Sequence, residues 1–414
     1  MKLLAVKKRV EDGKVRLTAE FLQAGTEEPQ EVWFEYGEEW ADFVVDHCDP
    51  FVPAMLVACM VTGEPLEIEP PVSEKLFDNL RVPIWVQTCW HPELHEVECS
   101  AKEVVRRVAP DGRACASFFS CGVDSFYTVL RNREETNPRV SKISHTISME
   151  GFEQPLGKER APDVRMAAVE KGAREFGLLP IIGASNIRVA FPYNWGFLLH
   201  GAVLAGCALS LSAGLHRVHL PASISYVTLN PWGSHPLLEH NYTNEALELP
   251  HDGAGTSRTD KIRHAIEWDE RVLDHLYVCI GKGDGSKNCG GCKKCVRTLV
   301  TLSILGKVER ARTFDRIFYP KFEKKHVRKI MKSAYRPMRA ERLYCVENYE
   351  LSKALGHPDP VVQRYLERVI RRTSWSIAYK EVKSLFSSWH VIPGAAGARL
   401  PLKSEDYFKE VNKR

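Results

Sequence analysis

Hydrophobic and polar positions alternate with period two from Val15 to Phe21 and again from Glu31 to Tyr36, a pattern that predicts two early strands. Phe51 to Val61 is apolar and predicts a helix, whereas Val82 to Thr88 reads as a further strand. From Cys115 to Phe119 the residues are small or apolar without alternation, as in a strand buried on both faces of a parallel sheet. A short run of small and hydroxyl residues follows, and helical spacing then places Phe126, Val129 and Leu130 on one side. Lys142 to Met149 predicts a second strand and Pro162 to Phe176 a helix closed by Gly177. Leu179 to Gly183, with Ile187 to Val189, gives a third strand, Gly201 to Ala213 a helix, and His216 to Leu220 a fourth strand.

Repeated β-α units of this kind argue for an α/β fold, a Rossmann-like parallel sheet with helices on both faces. In such sheets ligands gather beyond the carboxyl ends of the strands. Residues 1–108 read as a small α+β module ahead of it, and residues 109–306 as the α/β domain. Residues 307–414 read as a mostly helical, basic region, with candidate helices at Arg312 to Arg328, His357 to Arg372 and Trp375 to Trp389.

Charge sharpens this division. The chain of 414 residues carries a net charge of only +4, yet from Lys307 onward 25 Lys and Arg face 12 Asp and Glu. Such a region suits a solvated helical surface, or an anionic partner such as tRNA or an acidic protein surface. Gly196 to Leu215 is long and apolar, but it includes His200, four glycines and two serines, so a buried helix is expected, with no membrane span. The charged start, Lys7, Lys8 and Arg9, does not resemble a secretory leader, and twelve cysteines fit a reducing, cytoplasmic setting. Oligomeric state leaves no trace in the sequence.

Two constellations carry chemistry. The first is Ser120, Cys121, Gly122, Val123, Asp124 and Ser125, a turn between strand and helix. Such a turn offers unpaired amides and the positive end of the helix dipole to an anion, and the serines add hydroxyls. Asp124 either caps the helix or meets a metal ion. The second is Cys279, Cys289, Cys292 and Cys295, spaced C-x9-C-x2-C-x2-C. Four thiolates suit a closed Zn²⁺ site, and an iron–sulfur cluster is the competing occupant.

The hexapeptide Ser120–Ser125 resembles the SGGxDS signature of the PP-loop ATP pyrophosphatases, with Cys121 in place of a glycine. The cysteine block resembles the zinc site of the 7-cyano-7-deazaguanine synthase branch, with one extra residue in its first spacer. Ser257, Arg258, Thr259, Asp260 and Lys261 are similar to a helix-opening stretch of the same branch, and the similarity spans roughly residues 114–306. The resemblance implies an ATP-dependent ligase that forms carbon–nitrogen bonds. ATP would lie on the turn with Mg²⁺ near Asp124, while Asp124, Ser125, Arg258 and Lys261 act on phosphate charge. A carboxylate or amide oxygen would be adenylated and then attacked by ammonia, an amine or another nucleophile. Sulfur transfer to tRNA, another PP-loop chemistry, and nucleotide binding without turnover stand as alternatives. The Ser223–Asp252 stretch departs most from that branch; there Ser234, His235, His251 and Asp252 either touch substrate or form the polar edge of a rigid turn.

Overall fold

A computed structural model describes residues 1–108, 110–157, 164–279, 287–314, 339–356, 359–360 and 362–371. Its twelve strands are β1 Lys2–Glu11, β2 Lys14–Leu22, β3 Gln30–Gly37, β4 Leu66–Ile68, β5 Val72–Ser73, β6 Cys99–Ala101, β7 Val104–Val105, β8 Ala114–Phe118, β9 Ile143–Glu150, β10 Leu179–Ser185, β11 Leu215–Pro221 and β12 His251–Asp252. Ten of them build one sheet, ordered β12-β11-β8-β9-β10-β3-β2-β1-β4-β6, and β5 pairs with β7 separately.

The core of this α/β fold is the parallel set β12, β11, β8, β9 and β10. Strand β8 shows why it sits in the middle. Cys115 and Phe119 join a hydrophobic cluster on one face, and Ala116 and Phe118 join another on the opposite face. The first face is covered by the helices Val123–Glu134, Val164–Glu175, Arg258–Trp268 and Lys293–Ile304. The opposite face takes Val52–Thr62 and His200–Ser210. The first of these two is buried almost all round, which explains its uniformly apolar sequence.

The N-terminal strands extend the same sheet. β3 pairs antiparallel with β10, Tyr36 lying opposite Gly183, and a single hydrophobic cluster runs from Met1 to Leu249. The N-terminal strands and the parallel strands thus share one sheet and one hydrophobic cluster. In β2 the alternation has a direct cause, since Val15, Leu17, Ala19 and Phe21 point into that cluster.

Two expected strands are helical instead. Val82 to Thr88 falls inside the helix Arg81–Trp90, where Pro83 fits the first turn and Pro83, Ile84 and Gln87 face inward at helical spacing. Ile187–Ala190 is a helical turn beginning after Asn186, whose Oδ1 accepts the Trp33 amide at 2.8 Å. The apolar Gly196–Leu215 stretch becomes a π-helical turn, Trp195–Leu199, and the eleven-residue helix His200–Ser210. Its glycines serve close packing: a Cβ on Gly206 would lie 2.3 Å from the Pro50 carbonyl oxygen. Among the described residues no helix is long and apolar enough to cross a membrane.

Of the basic C-terminal region, the helix Arg339–Ala354 and residues 362–371 pack onto the outer side of Lys293–Ile304 through Val300, Ile304, Cys345, Val362, Leu366 and Val369. The expected helix Trp375–Trp389, and most of Arg312–Arg328, lie outside the described residues.

Candidate functional site

Strand order reverses at β8: the chain proceeds through β9 and β10 on one side and returns to β11 on the other. A cleft of about 220 Å³ opens at this switch point, beyond the carboxyl ends of β8, β9 and β11. Ser120, Gly122, Asp124 and Ser125 form its floor. Gly122 is the N-cap of Val123–Glu134 and provides no side-chain cap, so the first-turn amides face the cleft without an internal acceptor. Ser125 braces the turn from beneath: its Oγ donates to the Gly122 carbonyl at 3.0 Å and accepts the Ser120 amide at 3.3 Å.

Asp124 is held from two sides. Arg258 Nη1 donates to Oδ2 at 2.7 Å and Lys261 Nζ to Oδ1 at 3.4 Å. Burial would raise this carboxyl, but the two cations outweigh it and hold Asp124 below the usual carboxylate range. Lys261 is almost wholly buried, donates also to the Ala222 carbonyl at 2.6 Å, and lies 5.7 Å from the centre of the Tyr127 ring. Burial lowers its ammonium and Asp124 pulls it back up. Both cations come from one helix, Arg258–Trp268, whose N-cap Ser257 accepts the Asp260 amide at 3.1 Å.

Cys121 and Val123 do not face the cleft; both side chains turn into the core. The backbone of Cys121 adopts φ +55°, the left-handed region that favours glycine. Its Sγ packs against Gly172, and burial pushes the thiol up to about 12.

The four later candidates separate. Ser234 lines the cleft and donates to Glu239 Oε1, whose Oε2 meets His251 Nδ1 at 2.5 Å. His251 thus stands behind Ser234. His235 packs edge-on to Trp90 at 4.7 Å, with its Nδ1 accepting the Leu237 amide at 3.1 Å. Asp252 is committed elsewhere, accepting from Arg131 at 2.6 Å and Thr128 at 3.2 Å and lying 2.9 Å from His219 Nδ1.

The cleft walls include residues that the motifs do not mark. Phe152 and Trp195 lie with ring centroids 5.8 Å apart, and His200 sits 5.0 Å from Trp195. His200 Nδ1 is buried without a hydrogen-bond partner, and burial lowers this imidazole. Arg188 lies 4.9 Å from the Trp195 ring and donates to the Phe152 and Glu153 carbonyls at 2.8 and 2.7 Å, fixing that wall. The π-helical step at Trp195–Leu199 is the local signal that could have drawn attention to His200.

Cys279, Cys289, Cys292 and Cys295 place four sulfurs within 4.8 Å of one another, close enough to hold a metal ion. Tetrahedral zinc with Zn–S near 2.3 Å needs sulfurs about 3.8 Å apart, and Cys279 and Cys292 are 3.9 Å apart. The donor set is consistent with zinc. Asn288 assembles this site. Fully buried, it accepts the Val278 and Cys279 amides at 2.8 and 3.0 Å and donates to the Leu276 carbonyl at 2.8 Å. The Cys289 amide points at Cys279 Sγ, 3.5 Å away. Metal site and cleft share a wall, since Tyr277, Val278 and Cys279 line the cleft and the Tyr277 amide donates to the Cys121 carbonyl at 2.8 Å.

No protein-family model matches the chain, and comparison with curated proteins gives no match.

Proposed function

We propose that the chain is an ATP-dependent adenylating enzyme of the PP-loop type, akin to 7-cyano-7-deazaguanine synthase, which splits ATP into AMP and pyrophosphate. One observation carries this: Asp124, gripped by Arg258 and Lys261, stands at the head of an uncapped helix at the switch point of the sheet. The free amides and Ser120 receive the phosphates, and Ser125 keeps the turn in shape. Arg258 and Lys261 neutralise the charge that builds on the departing pyrophosphate. Mg²⁺ arriving with the nucleotide would supply further neutralisation, and Asp124 is the carboxylate that would hold it.

The activated group is a carboxylate or amide oxygen of a small substrate. Phe152, Trp195 and His200 form a wall of mutually tilted rings suited to its body. Ammonia, an amine or another nucleophile then displaces AMP. We place the enzyme in the cytoplasm, with the basic C-terminal region available to an acidic or tRNA partner.

Sulfur transfer to tRNA is disfavoured by the inward-facing Cys121 thiol, the candidate sulfur carrier on the turn. Incubation with ATP and a low-molecular-weight metabolite extract tests the reading: AMP and pyrophosphate are expected, and ADP with phosphate overturns it.

A further inference from the structure

Beyond the motif residues, the cleft holds a cation, Lys294, whose ammonium has no hydrogen-bond or ion-pair partner among the described residues. Lys294 lies between Cys292 and Cys295, and its side chain lines the cleft. Arg258 and Lys261 are both tied to Asp124. Among the described residues the Lys294 ammonium makes neither a hydrogen bond nor an ion pair; only its carbonyl is engaged, by Thr298 Oγ1 at 3.0 Å. It shares the cleft lining with Ser120 and Asp124 of the turn, with Arg258 and with Glu153. A half-buried ammonium with no hydrogen-bonded counter-ion is costly unless an anion completes it.

Resting on the ATP reading above, we infer that the cysteine site is more than a structural staple: it delivers Lys294 to the phosphates of the nucleotide. Lys294 is the second residue of the helix Lys293–Ile304, whose N-cap is Cys292, and Cys295 follows it directly. An ion held by both cysteines fixes the first turn of that helix, and with it the direction of the lysine stem. Arg258 and Lys261 both share the single charge of Asp124, and Lys294 adds a further cation to the cleft for a triphosphate. A charge-assisted contact of this kind changes affinity by about 10- to 100-fold.

The test is calorimetric binding of α,β-methylene-ATP with Mg²⁺, of pyrophosphate and of adenosine. Lys294→Ala should weaken the first two by about tenfold or more and leave adenosine unchanged. Lys294→Arg should recover much of the loss, and Lys293→Ala should bind as wild type. Zinc content and melting temperature are measured for each protein, and Lys294→Gln replaces the alanine variant if that one loses metal. Equal affinity of wild type and the Lys294 variants for the analogue, or an equal loss for adenosine, overturns the inference while the ATP reading stands. A wild-type protein that binds neither analogue nor pyrophosphate removes both.

Discussion

The Arg258 guanidinium donates to the Asp124 carboxylate at 2.7 Å across 134 residues of sequence, joining the turn after β8 to the helix that follows β12. The contact does two things. It keeps Asp124 ionised in a poorly hydrated place, and it holds Arg258 in the cleft before any anion arrives.

Replacing Asp124 by alanine leaves Lys261, about 2% exposed, without a counter-charge. Removing one partner of a buried pair costs about 3 kcal/mol, so Asp124→Ala should lower the unfolding free energy by that order. Adenylation should fall by about 10²-fold or more, because the lost group acts on charge in the transition state. Denaturant titration and pyrophosphate release measure the two effects. If Asp124→Ala keeps full turnover, Asp124 is a structural ion-pair member and no more.

The cysteine site should hold about one zinc ion per chain. Cys292→Ser should abolish stoichiometric metal and lower the melting temperature, since binding free energy here is folding free energy. Asn288→Ala keeps every ligand but unties the Leu276–Cys279 segment, and should weaken metal affinity by about 10- to 100-fold. Competition with a chromophoric chelator reads this directly. A brown protein with bound iron would replace zinc by a cluster.

Much of this architecture is legible in the sequence where burial is one-sided or complete. The alternation of β2, the unbroken apolar run of β8 and the cysteine spacing each answer to a local cause. β1 left no such trace because Leu3 is its only fully buried residue. The antiparallel joint of β3 with β10 depends on pairing across some 150 residues, and local periodicity does not carry it. Asn288 and Lys294 were invisible for a similar reason. Their types are ordinary, and their importance arises only when the cysteine block folds back against the cleft. The helix Arg339–Ala354 falls between two expected helices, Arg312 to Arg328 and His357 to Arg372, in a stretch that local patterning did not mark.

Acid should weaken the protein through its buried carboxylates. Burial alone would raise Asp252, but the His219 hydrogen bond and the Arg131 charge outweigh it, so its folded-state pKa lies below the ordinary 3.8. A depressed carboxylate contributes stability that is fully present above its unfolded pKa and is lost as pH falls through the folded one. Asp252→Asn should therefore be destabilising near neutrality, and the gap should shrink as pH falls through and below the ordinary carboxylate range. Urea midpoints across that range test it. A constant gap at all pH values would show that the carboxylate charge contributes nothing.

Cys121 occupies a position whose φ of +55° suits glycine, yet its side chain fills space against Gly172. Two opposing effects follow for Cys121→Gly. Removing the side chain relieves a left-handed conformation that costs a non-glycine residue about 1–2 kcal/mol. It also empties a small apolar site and frees the unfolded chain, together worth about the same. Stability should thus change by less than about 1 kcal/mol, and turnover should be unchanged, because the thiol faces the core and stays protonated with a pKa pushed up to about 12. Gly172→Ala attacks the same contact from the other side. Its Cβ would come within 2.8 Å of Cys121 Sγ, so it should destabilise the wild type, and Cys121→Gly should suppress that cost. Melting temperatures of the two single variants and the double variant close the cycle. Turnover abolished in Cys121→Gly, with the fold intact, would instead give the thiol a chemical role and return sulfur transfer to consideration.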